Sequence, residues 1–185
     1  MIGLYPAIYF IVDRKFGLLG SKSEELLADT FWNIGFYGHI VLGGIALLIG
    51  WMQFSKKLRQ KNLPLHRNVG KAYVIAALIS GICGIYIGFF ATGGIISAAG
   101  FISLGVIWLF TTVSSYLAVK KRDIRKHEIM MIFSYAACFA AVTLRIWLPI
   151  LTSITGEFVS AYRIVAWLCW VPNVIVAFLI VKNRK

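Results

Sequence analysis

Residues 34–54 read IGFYGHIVLGGIALLIGWMQF and run directly into residues 55–71, SKKLRQKNLPLHRNVGK. The first stretch holds no Asp, Glu, Lys or Arg. At about 1.5 Å per helical residue it reaches roughly 30 Å, the thickness of a bilayer's hydrocarbon core. The second stretch carries Lys56, Lys57, Arg59, Lys61, Arg67 and Lys71 and no acid. An apolar run of membrane length ending in an uncompensated basic loop is the pattern of a span whose loop stays in the cytoplasm. Four further runs have the same length and character, at 70–92, 95–119, 128–151 and 162–181. None alternates as a barrel strand does, so the expected fold is all-α, a polytopic transmembrane helical bundle of five full spans in one domain.

Composition agrees. Of 185 residues 59% are hydrophobic and 14% charged, whereas a soluble domain carries about a quarter charged residues. The net charge of +12 would point to nucleic acid in a soluble chain. Here it is topological, and no nucleic-acid partner is expected. Six basic residues lie in 55–71, five in 120–127 (Lys120, Lys121, Arg122, Arg125, Lys126) and three in the tail (Lys182, Arg184, Lys185). The other side has Arg14, Lys15, Lys22 and Arg163 beside Asp13, Glu24, Glu25, Asp29 and Glu157. The expected location is the inner membrane of a bacterial cell, with the 55–71 loop, the 120–127 loop and the C-terminus cytoplasmic. Residues 1–12 are apolar but too short to cross, and read as a partial or interfacial segment or the tail of an upstream helix. Residues 20–32 read as a short extracytoplasmic surface segment, with Ser21 and Glu24 in capping-box spacing. Trp32, Tyr37, Tyr73, Tyr116 and Tyr162 fall near span ends, where an interfacial aromatic belt is expected. Cys83, Cys138 and Cys169 lie inside apolar runs without CxxC spacing and read as buried small hydrophobes.

Ionisable groups at membrane depth are costly and mark candidate sites. His127, Met131, Ser134, Cys138, Ala141 and Arg145 step by fours and threes, so they form one helical stripe facing the bundle. His39 heads a small-residue groove (Gly43, Ala46, Gly50), and Ala77, Gly81, Gly84 and Gly88 form another, suited to close helix packing or to a flat ligand. By depth, His39 and Arg145 form an outer cluster, and His66, Arg67 and His127 an inner one at the cytoplasmic interface. His66 reads as a loop residue beside Pro64. Further polar candidates inside the bundle are Trp108 and Thr112 in the third span, Ser134 in the fourth, and Trp170 and Asn173 in the fifth. Pro172 is expected to kink the fifth span and release the Leu168 carbonyl.

HIVLGG (39–44), WMQF (51–54), HRNVGKAY (66–73), FFATGG (89–94), IWLFTT (107–112), HEIMM (127–131), AAVTLRIWLP (140–149) and AWLCWVPN (166–173) together resemble the bacterial membrane-protein family named domain of unknown function 2306, over roughly residues 30–175. The family implies a multi-pass membrane protein and no particular activity. A second likeness is to b-type cytochrome bundles such as the cytochrome b-type ferric reductases. Three histidines are one short of two bis-histidine haems, so that likeness implies at most one haem b, between His66 and His127, with Arg67, Lys71 or Lys126 near its propionates.

Three readings follow. The first is a redox protein holding one b-type haem or a quinone for electron transfer. The second is a binder or transporter of a small anion or an anionic lipid headgroup. The third is a non-catalytic accessory subunit partnered with another membrane protein. All three place the chain in a lipid bilayer, and no nucleophile–base constellation names a catalytic residue. His66 and His127 with Glu128 also offer donors to a metal.

Overall fold

The computed structural model describes residues 18–184. Among these, five helical stretches are long and apolar enough to cross a membrane: Thr30–Phe54, Leu63–Gly88, Ile95–Lys120, Ile124–Thr155 and Phe158–Lys182. No described residue is in a strand. The expected 1–12 segment lies outside the described residues.

Polar caps set the helix starts. Ser23, not Ser21, caps the short α1 (Glu24–Ala28), accepting from the Leu26 amide. Ser21 instead bonds the Leu18 carbonyl (2.7 Å) and the Thr92 hydroxyl (2.9 Å). The Asp29 carboxylate accepts from the Trp32 amide at 2.6 Å and opens α2 (Thr30–Gly50). A 3-10 turn (Trp51–Phe54) follows, then α3 (Lys56–Lys61), capped by Ser55. Asn62 caps α4 (Leu63–Gly88), and Pro64 occupies its first turn, where a missing N–H costs nothing. The expected span 70–92 therefore starts seven residues earlier and ends four earlier, so His66, Arg67 and Lys71 are helical. A turn at Gly93 (φ 94°) and Gly94 (φ 73°), conformations open to glycine, leads to α5 (Ile95–Lys120).

The last two spans are each two helices. α6 (Ile124–Cys138), capped by Asp123, and α7 (Ala140–Thr155) meet at Phe139, where the Val142 amide bonds the Phe139 carbonyl at 2.8 Å, an i−3 bond that tightens the turn. α8 (Phe158–Leu168) and α9 (Val171–Lys182) are separated at Cys169 and Trp170, because Pro172 in the first turn of α9 cannot donate. The carbonyl most served at that break is that of Cys169 rather than Leu168. It accepts from Asn173 Nδ2 at 2.9 Å and from the Thr143 hydroxyl.

α2, α4, α5 and α6 form a four-helix core, with α8 packed on α7 and α5 and α9 on α6. Its centre is Ala46, Leu47, Tyr73, Ala76, Ala77, Trp108, Met131, Ala137 and Cys138. Large apolar side chains such as Ile82, Phe110, Ile164 and Phe178 point outward and are exposed, as lipid-facing residues are. Trp32, Tyr73 and Tyr162 are buried instead of forming a belt. Cys83 is half-buried, while Cys138 and Cys169 are buried, all with free thiols.

Candidate functional site

The two connections rich in lysine and arginine meet at one end of the bundle. Arg59 of α3 donates to Glu128 of α6 at 2.6 Å across that end. Beneath this pair lies a cavity of about 950 Å³ bounded by the 3-10 turn, α3, α4, α5, α6 and Arg184 of the tail. That volume is at the upper end of the roughly 300–1,000 Å³ range of small-molecule sites. Phe54, Leu63, Val74, Val119, Ile124 and Met131 supply its apolar wall. Lys56, Arg59, Arg67, Lys71, Lys120, Arg122 and Arg184 set seven cations against the single carboxylate of Glu128.

His66 and His127, on α4 and α6, both line this cavity. Their rings are held differently. His127 Nδ1 lies 3.1 Å from the Ser115 carbonyl and 2.9 Å from the Ser115 hydroxyl, which itself donates to the His127 carbonyl at 3.2 Å. A carbonyl can only accept, so Nδ1 carries a proton, and in the neutral ring the lone pair then sits on Nε2. Histidines that bind metals are oriented in this way. His66 Nδ1 is buried and has no hydrogen-bond partner. So is Gln53 Nε2, in the same lining. Both atoms are covered by protein, and buried donors and acceptors left unpaired cost about 1–3 kcal/mol each.

The outer cluster reuses the clamp. His39 Nδ1 donates to the Ser80 carbonyl at 2.9 Å, with the Ser80 hydroxyl 3.2 Å away and itself donating to the His39 carbonyl at 2.8 Å. Gly84 makes room, since a Cβ there would stand 2.8 Å from the ring. Arg145 Nη1 donates to the Ala141 carbonyl at 2.5 Å. The inner cluster thus shares one cavity wall, to which neither His39 nor Arg145 of the outer cluster contributes.

The remaining candidates divide. Trp108, Thr112 and Ser134 converge on one buried residue that sequence reasoning put at the membrane surface, Tyr73. Its hydroxyl lies 2.8 Å from Ser134 Oγ and accepts from Trp108 Nε1 at 3.4 Å, and Ser134 is 2.7 Å from Thr112 Oγ1. Trp170 bonds only its own helix turn, at the Ala166 carbonyl (2.9 Å). Asn173 ties α9 to Thr143 of α7 at 3.2 Å and to the Ala136 carbonyl of α6 at 3.4 Å. Sequence reasoning missed Gln53, Tyr73, Ser80 and Ser115 as site groups. The signal for Tyr73 was the 4, 3, 4 spacing of His66, Gly70, Tyr73 and Ala77, which becomes legible once the helix is started at Asn62. Ser115 shares the polar face of Trp108 and Thr112 in the third span, whereas nothing local marks Ser80. Among the described residues, no three His, Cys, Asp or Glu side chains gather as a metal site; His66, His127 and Glu128 share the cavity wall only.

Five apolar helices make this a polytopic α-helical membrane protein, with a histidine-lined basic cavity at one end. The chain belongs to the family described as predicted membrane protein (DUF2306), whose model matches residues 36–181. No curated protein and no solved structure matches it.

Proposed function

We propose that the cavity holds one b-type haem, which His66 and His127 would hold, and that the protein is a membrane electron carrier. The carrying observation is that histidines of two helices, α4 and α6, line one cavity of about 950 Å³, apolar in its wall and basic at its rim. That is the chemistry of an amphiphilic dianion with an apolar plane. The residues fit the group on two counts. Ser115 fixes the His127 ring with Nδ1 as the donor, so that in the neutral ring Nε2 carries the lone pair, and cations outnumber acids at the rim. A bound haem supplies one-electron transfer at a potential tuned by its axial ligands and burial. The chain's own part is to orient the ligand through Ser115, to pair the propionates with Arg67, Lys71 or Lys120, and to exclude water with Met131 and Val74. The positive-inside rule puts this end at the cytoplasmic face of a bacterial inner membrane.

The test is the absorption spectrum of protein purified after expression with haem supplied. A Soret band with the sharp visible bands of a six-coordinate, low-spin haem is expected. The visible bands are expected to broaden to a five-coordinate form in His66→Ala or His127→Ala, and both bands to vanish in the double variant. Unchanged spectra in all three variants would overturn the assignment. The seven cations favour one second reading, an anionic lipid headgroup in the same cavity. A haem-free sample retaining a stoichiometric anionic lipid, lost in Arg67→Gln with Lys71→Gln, would establish it.

A further inference from the structure

We infer that Arg122, held in a strained turn at the cavity, is the residue that binds a carboxylate of the cavity's ligand. The inference rests on the haem reading above, in which that carboxylate is a propionate.

Arg122 lies in the turn between α5 and α6. Among the described residues it is the only one other than glycine with a positive φ, 63°. The Arg122 amide donates to the Val119 carbonyl at 3.1 Å, and the Asp123 amide to the Ala118 carbonyl at 2.9 Å. That pair of bonds closes a helix C-terminus through one left-handed residue. Asp123 caps α6 immediately afterwards, accepting from the Lys126 amide at 3.0 Å, so the left-handed position is fixed from both sides. Glycine fills such a position at least cost, because a Cβ crowds the backbone there. Strain of this kind persists where the side chain that causes it is used. Topology does not require a cation at 122, since Lys120, Lys121, Arg125 and Lys126 already make the connection basic. What sets Arg122 apart is its place. It is exposed and lines the large cavity, whereas the adjacent Lys121 lines a separate hollow of about 220 Å³ with Ser114, Leu117 and Lys126. Arg59, on the same cavity, is engaged by Glu128, while Arg122 enters no ion pair among the described residues. A guanidinium grips a carboxylate through two parallel bonds, which a lysine cannot do.

The experiment titrates the haem-free full chain in detergent with haem and with haem dimethyl ester, which keeps iron and ring but has no carboxylate. The unfolding midpoint of each haem-free variant is recorded beside it. Wild type is expected to bind haem more tightly than the ester. Arg122→Gly relieves the backbone and removes the guanidinium, so its midpoint should equal or exceed that of wild type. Its haem affinity should fall about 5- to 10-fold, between the worth of an exposed ion pair and that of a hydrogen bond to a charged group. Ester affinity should stay put. Arg122→Asn, neutral yet tolerant of the left-handed turn, should repeat the selective loss and serves if glycine loosens the turn. Lys121→Gln, one residue away and outside the cavity, should change haem affinity by less than about twofold. Lower midpoints in both Arg122 variants would make Arg122 a structural residue and overturn the inference. So would unchanged haem affinity, equal losses for haem and ester, equal binding of the two by wild type, or a loss in Lys121→Gln as large as in Arg122→Gly. Each of these leaves the haem reading standing. A wild-type chain that binds neither porphyrin overturns both.

Discussion

At the scale of single residues, the repeated unit is a serine that clasps a histidine on the next helix. In both copies the hydroxyl returns to the histidine's own carbonyl, so each clamp is closed by two groups of one serine. Such a pair needs no charge and fits apolar surroundings, where unpaired polar groups are penalised. A second residue-scale device is Asn173, whose amide reaches three acceptors at the break in the last span. Replacing it by leucine should cost about 1 kcal/mol, near the usual range for interhelical hydrogen bonds in membranes, because Thr143 continues to serve the Cys169 carbonyl. Reversible unfolding in mixed micelles measures this. A loss near zero would mean that shape alone holds the break. The need for a partner at Asn173 was legible from its place in an apolar run, but which atoms would meet it was not.

At the scale of elements, the start of α4 matters most. KNLPLHR looks like loop when judged by polarity, yet Asn62 followed by Pro64 is a helix start, and it carries His66 into the bundle wall. Polarity misled because the end of a span that emerges from lipid is free to be charged. The short α3 is different in kind. It buries none of its residues, and its one ion pair to α6 is between side chains that are each 42% exposed. Exposed pairs are worth at most about 1 kcal/mol. In Glu128→Gln, which leaves every tryptic site of α3 intact, cleavage within 56–61 should therefore run about two- to fivefold faster. The global unfolding energy should move by less than about 1 kcal/mol. An unchanged cleavage rate would show that Arg59 and Glu128 do not latch α3 over the cavity.

At the scale of the whole molecule, the two ends are built on different principles. The basic end is hollowed by an open cavity, while the opposite end is sewn shut around the turn before α5. Lys22 donates there to the Phe90 carbonyl and to Thr92 Oγ1 (3.0 Å), and Arg163 donates to the Gly93 carbonyl at 2.8 Å. Burial lowers the Lys22 ammonium from its usual 10.5 to about 8. Between those values the unfolded chain holds the proton and the folded chain has released it. Stability should then be flat below about pH 8 and rise as pH climbs towards 10.5. Thermal unfolding of wild type against Lys22→Met, followed across that range, should show the increment in wild type alone. A difference independent of pH would refute it.

What the amino-acid order determined by itself was membership of the membrane class, five spans, and the partition of charge between two ends. Each follows from one-dimensional quantities: the length of an apolar run, the position of lysine and arginine, the spacing of a helical stripe. Because depth along a straight helix is a count of residues, it also led to the expectation that His66 pairs with His127 and His39 with Arg145. Only the tertiary structure decided that the inner pair shares a cavity, that Ser80 and Ser115 set the tautomers, and that Gln53 and Tyr73 belong to the interior. Those depend on the rotation of each helix about its axis and on which helices are neighbours. Packing among many side chains sets both, and no local stretch of sequence encodes either.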